Sequence, residues 1–156
     1  MDIRNLKDAP QFLPQLAEWH HQQWLELNPG QTLAQRIDAM QAHLSDDWLP
    51  STYLAKSDVL MGSAALIAHD MDTRPELTPL LASVFVAPAF RQQGIGSQLV
   101  KQVMQAAREA GVTTLYLFTP DQAHFYQRLG WQVVSREYYR GEQVTLMRVS
   151  LQSWQG

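Results

Sequence analysis

The sequence predicts a mixed α+β fold, and three observations carry that expectation. A run from Leu80 to Val86 has strand composition, breaks at Pro88 and passes through two glycines into a long helical pattern. Two pairs of strand-like runs flank it, 51–56 with 60–68 and 131–139 with 142–151, each joined by turn residues. Two amphipathic helical patterns come before them, between residues 11 and 44. With further runs at 2–6 and 114–119, the expected architecture is a mixed, mostly antiparallel seven-stranded sheet flanked by helices.

Taken in order, Asp2 to Leu6 is a short first strand. From Gln11 to Leu27 the residues Phe12, Leu16, Trp19 or His20, Gln23 or Trp24, and Leu27 recur at helical intervals, and Asn28-Pro29-Gly30 ends the helix. Thr32 is the expected N-cap of a second helix, with Gln35 as its capping-box partner and Leu33, Ile37, Met40 and Leu44 on one face. Pro88 stops the central strand because it has no N–H to give to a ladder. Ile95, Leu99, Val103 and Ala107, with Val100 and Met104 beside them, form a helix that Gly111 terminates. Leu115 to Phe118 reads as a buried strand stopped at Pro120, a short helix covers about 123–129, and Arg140-Gly141 turns the last hairpin.

A chain of 156 residues with 46% hydrophobic and 17% charged residues suits one globular domain with its own core. The net charge of −3 argues against a general nucleic-acid binder. No apolar run is long enough for a membrane span or a secretory signal, which leaves the cytoplasm as the default location. With no cysteine in the chain, a disulfide framework, a thiolate metal site and a cysteine nucleophile are all excluded.

The chemistry concentrates in Arg91-Gln92-Gln93-Gly94-Ile95-Gly96-Ser97, between the central strand and its helix. The first N–H groups of a helix lack intrahelical partners, and with the positive dipole end they make an anion site. Glycines let a phosphate approach the backbone, so the turn reads as a pyrophosphate cradle. It is not a dinucleotide fingerprint, since Leu99 stands where a third glycine belongs, nor a P-loop, since Gly-Lys-Ser/Thr is absent.

The stretch resembles the cofactor motif of the GNAT N-acetyltransferase family, (Gln/Arg)-x-x-Gly-x-(Gly/Ala), filled here by Arg91, Gly94 and Gly96 after Val86-x-Pro88. The resemblance implies the α/β/α-type fold of that family, a sheet split between the strand before Pro88 and the strand at Leu115-Phe118, and a pantetheine arm in the split. It implies acetyl-CoA as donor, bound by Val84, Phe85, Val86, Arg91, Gln92, Gln93, Gly94, Ile95, Gly96 and Ser97. Phe125-Tyr126 followed by Leu129-Gly130-Trp131 matches the family's aromatic pair, and Tyr126 takes the place of its general acid. The implied reaction is direct attack by a primary amine in a ternary complex. A small amine or polyamine as acceptor, or a non-catalytic acyl-CoA sensor, are the alternatives.

Asp121-Gln122-x-His124-Phe125-Tyr126 resembles the branch of the family that acetylates the acidic N-terminus of actin, as does the 24–44 region with Arg36. An acidic acceptor needs a basic lip, which Arg74, Arg136, Arg140 and histidines could form. No residue is marked as the base: Glu76, His69 and His124 are candidates beside a water chain, though each reads more simply as a solvated loop residue. His20-His21 before Trp24 reads as solvated histidines beside a packing aromatic, because neighbours on a helix point about 100° apart. His69-Asp70-x-Asp72 lacks a calcium-loop pattern, and no metal is expected. The expected partner is the amine acceptor, without nucleic acid or membrane, and a homodimer is left open.

Overall fold

A computed structural model describes residues 1–25, 28–71 and 73–154. The strands are β1 (Asp2–Asn5), β2 (Ser51–Lys56), β3 (Leu60–Ile67), β4 (Leu80–Val86), β5 (Thr114–Thr119), β6 (Gln132–Tyr139) and β7 (Glu142–Ser150). They form one sheet in the order β1-β2-β3-β4-β5-β7-β6. Every pairing is antiparallel except β4 with β5, which is parallel. The seven-stranded α+β expectation therefore holds.

The helices are α1 (Leu13–Gln23), α2 (Leu33–Met40), α3 (Ile95–Glu109) and α4 (Ala123–Gln127). Helix α3 buries Ile95, Leu99, Val100, Val103, Met104 and Ala107 on one face of the sheet, against Leu66, Leu115 and Met147. The capping expectation at its end is met: Gly111 has φ +92, its N–H reaches Arg108 C=O at 3.0 Å, and Val112 N–H reaches Ala107 C=O at 3.0 Å. On the other face α1 and α2 close over Leu54 and Leu60 through Leu16, Ala17 and Met40.

The second helix opens on the expected capping box, Gln35 N–H to Thr32 Oγ1 at 3.1 Å and Thr32 N–H to Gln35 Oε1 at 2.8 Å. It tightens to a 3-10 turn over Gln41–Leu44 rather than continuing as α-helix. Helix α1 is also shorter than its periodicity suggested: a 3-10 turn covers Pro10–Phe12, and the helix closes at Trp24. Pro14 in the first turn has no N–H to give, so helical bonding starts at its edge. Leu27, the last expected residue of that face, lies outside the described residues.

Two irregularities shape the centre of the sheet. Strands β4 and β5 pair at a single register point, Leu80 with Tyr116, beside a bond from Tyr116 N–H to Pro79 C=O at 3.2 Å. Beyond it they part, which is the split expected between the strand before Pro88 and Leu115-Phe118. Strand β4 also bulges against β3: Ala82 faces Ala65 while Phe85 faces Ser63. Ser83 takes φ +53 in that bulge, a conformation non-glycine residues rarely adopt.

Candidate active site

The loop from β4 to α3 forms the cradle. A 3-10 turn over Pro88–Phe90 ends the strand, then Gln92 and Gly94 take φ +66 and +78 before α3 begins. No side chain caps α3: Gly94 occupies the N-cap, and the first helical bond runs from Gln98 N–H to Gly94 C=O at 3.1 Å. The N–H groups of Ile95, Gly96 and Ser97 are thus left to an outside acceptor at the positive end of a 15-residue helix. Arg91 braces the loop, its Nε–H donating to Val86 C=O at 2.8 Å while its guanidinium lies 5.7 Å from the Phe85 ring. A Cβ on Gly94 would meet nothing within 4 Å, so its φ is the reason for glycine there. At Gly96 a Cβ would make ordinary contacts of 3.5 Å with Phe125 and 3.6 Å with Val86.

The cradle opens into a cleft of about 1270 Å³ between the parted strands. One wall is Leu81–Val86 of β4 and the other is Leu117–Thr119 of β5 with Phe125 and Tyr126 of α4. Tyr126 is 7% exposed, its ring wedged edge-on between Phe125 and Trp131 at 5.0 and 6.0 Å. Burial, and then the charge of Asp121, push its hydroxyl well above the ordinary tyrosine value, so it keeps its proton. An uncapped helix start, glycine at the αL position and an adjoining cleft suit a pyrophosphate with a long arm, the shape of a coenzyme A thioester.

The bulge is held from behind. His20 Nε2 lies 2.8 Å from Ser63 Oγ, and Ser63 Oγ–H donates to Ser83 C=O at 3.5 Å. Where the serine gives its proton to that carbonyl, the imidazole donates to Ser63 through Nε2–H. His20 is 2% exposed and packs on Trp24 and Phe85 at 5.2 and 6.4 Å. This corrects the reading of His20 as solvated: its ring faces the sheet, and burial, aided by Arg36 and His43, pushes its pKa down to about 3. His21 is partly exposed and adds nothing to the site.

A sequence model of the acetyltransferase (GNAT) domain matches residues 50–133, more than half of the chain. The chain belongs to the GNAT acetyltransferase family. Similar solved structures share its fold at low identity. An aminoglycoside 6'-N-acetyltransferase complexed with coenzyme A gives a TM-score of 0.76 at 18% identity over 97% of each chain. A putative acetyltransferase from Salmonella typhimurium with its cofactor acetyl-CoA gives 0.70 at 18%, over 99% of this chain and 96% of that one. A ribosomal-protein-alanine N-acetyltransferase from Brucella melitensis gives 0.73 at 18%, over 96% and 99%. The family makes the protein an acetyl-CoA-dependent acetyltransferase.

Most of the expected site of this GNAT acetyltransferase comes together. Val84, Phe85, Val86, Arg91, Gln92, Gly94, Ile95, Gly96, Ser97, Tyr126 and Arg140 all line the cleft, whereas Gln93 does not. Glu76, His124, Arg74 and His69 are not among its lining residues either. Arg74 is engaged by Glu76, at 2.7 Å, and by Glu137. Those bonds hold the Glu76 carboxyl below its usual range, the opposite of what a base needs. Arg136 is exposed on β6, so of the three lip arginines only Arg140 reaches the cleft. Asp72 of the His69-Asp70-x-Asp72 group lies outside the described residues, and no metal-binding group of three or more such side chains occurs among the described ones.

The cleft also contains residues to which sequence reasoning gave no role in it, chiefly Arg36, Asp70 and Asn28. Arg36 carried a readable signal. Leu33, Arg36, Ile37 and Met40 share one helical face, so a charge sits where the core should begin.

Proposed function

We propose that this acetyltransferase moves acetyl from acetyl-CoA to a primary amine by direct attack in a ternary complex, with an acidic peptide N-terminus as acceptor. What supports this reading is that one cleft joins the cradle, the bulged β4 edge, Tyr126 and an arginine-bearing wall. Bound acetyl-CoA supplies an activated thioester carbon. The uncapped N–H groups of α3 hold its pyrophosphate, and the bulge leaves a backbone donor near Val84 for the carbonyl oxygen. The amine attacks that carbon; the C–N bond forms, the C–S bond breaks, and its electron pair departs on sulfur. Tyr126 gives that sulfur a proton and regains one from solvent, while the new amide nitrogen loses its extra proton to water. A chain without cysteine offers no thiol to carry the acetyl group between donor and acceptor.

The acceptor half of the proposal rests on charge. Arg140 and Arg36 line the cleft, and guanidinium groups hold carboxylates in bidentate contacts that polyamines cannot make. The experiment follows CoA release and locates the acetyl group by mass spectrometry, with acidic peptides, lysine-rich peptides and spermidine at low and high salt. Acidic peptides should react best and be acetylated on the α-nitrogen, with a margin that narrows as salt screens steering beyond about 8 Å. If spermidine or the lysine-rich peptide is better at every salt concentration, the small-amine reading replaces this one. Tight acetyl-CoA binding with no CoA release from any amine would make the protein a sensor.

A further inference from the structure

Two oppositely charged side chains face the cleft without meeting. Arg36 makes no side-chain hydrogen bond or ion pair among the described residues, and its Nε is buried without a partner. The Asp70 carboxylate makes none either; only its backbone C=O is engaged, by the Tyr139 hydroxyl at 3.2 Å. Unmet charge in a partly dehydrated wall is costly, and a ligand that supplies the missing partners recovers that cost.

The frame around the pair is fixed. Tyr139 stacks edge-on against Phe118 at 5.3 Å and anchors the Asp70 backbone. Arg140 lies 5.1 Å from the Tyr139 ring and donates to Asn28 Oδ1 at 3.0 Å. The groups bearing on Asp70 are thus Arg36 from α2, Arg140 from the β6–β7 turn and the Tyr139 hydroxyl from β6. Burial lifts the Asp70 carboxyl to about 6 against the pull of both arginines, so neither neutralises it fully.

We propose that Arg36 and Asp70 form a split-charge subsite that reads an acceptor bearing a carboxylate within a few bonds of its amine. Arg36 takes the carboxylate and Asp70 takes the amine end. An acceptor carboxylate supplies the partner that the Arg36 guanidinium lacks, whereas a polyamine brings Arg36 only like charge. The proposal rests on the amine-acetylation reading above and narrows it to the acceptor's own functional groups. A free acidic amino acid and an acidic first residue of a peptide share this chemistry.

The test uses the intact protein and matched acceptors: Asp-first against Asn-first peptides with amidated C-termini, and free aspartate against its diamide. In the wild type, kcat/KM should favour each carboxylate over its amide by about 10- to 100-fold, mostly through KM. In Arg36→Gln that ratio should collapse towards one. Which pair gives the larger ratio tells a peptide from a free amino acid. Equal rates for acids and amides in the wild type would overturn the proposal without any variant. So would an acid preference that survives in Arg36→Gln. No reaction with any amine would instead count against the amine-acetylation reading, which separates the two failures.

Discussion

The proton-donor role proposed for Tyr126 depends on what surrounds its hydroxyl. The ring is clamped by Phe125 and Trp131, and burial keeps the phenol protonated through the physiological range. A neutral phenol is a poor acid towards water, yet it can donate to sulfur as negative charge builds there. Tyr126→Phe removes only the oxygen and leaves the packing. Its kcat should fall by the order of 10²-fold with acetyl-CoA affinity little changed. An unaltered kcat, measured where chemistry limits turnover, would reduce Tyr126 to a packing residue. At this scale the sequence was partly legible. Tyr126 stood beside a recognisable Leu129-Gly130, but the distance in the chain between Arg36 and the other residues of the cleft hid their convergence. Only the folded hairpin brings Arg140 to the wall that holds Asp70.

Among the elements, α1 has a role that its amphipathic pattern did not reveal. It carries His20 into the sheet, where the ring holds Ser63 and through it the carbonyl of the strained Ser83. The periodicity marked position 20 as core-facing, but a histidine pair looked solvated because nothing local names a buried partner 43 residues away. By contrast, the capping box of α2, the end of α3 at Gly111 and the Arg140-Gly141 turn are local chemistry, and all were readable.

The cost of charging His20 makes the docking of α1 pH-dependent. Its folded pKa of about 3 lies below the 6.5 of an unfolded chain. The neutral ring therefore contributes fully above pH 6.5, and the contribution is lost as pH falls towards 3. Lowered in the same direction, His43 adds to the trend. Asp70, raised to about 6, opposes it: its contribution is greatest in acid and is lost as pH rises through about 4 to 6. Comparing the wild type with His20→Gln isolates the His20 share. The variant should be less stable at pH 7, with a deficit that shrinks by about 3 kcal/mol at pH 4. A deficit of constant size in denaturant titrations across that range would remove His20 from the pH response.

For the whole molecule, the functional arrangement follows from one topological event, the parting of β4 and β5 after a single paired position. Helix α3 packs under the sheet and points its uncapped start at the mouth of the gap, while α4 sets Tyr126 on the opposite side. The composition of the strands gives no hint of that parting; family resemblance supplied it, because register between distant strands is decided by tertiary packing. On the proposed function, this gap and the α3 start together bind the acyl donor. Calorimetric titration of acetyl-CoA into wild type and Gly96→Glu tests it most directly. A Cβ at position 96 meets only ordinary contacts, and a carboxylate in the first turn favours the helix dipole, so the variant should melt no lower than the wild type. This folded variant should lose acetyl-CoA binding by at least about 100-fold, through charge repulsion and blocked N–H groups. Equal affinity in the two proteins would contradict it.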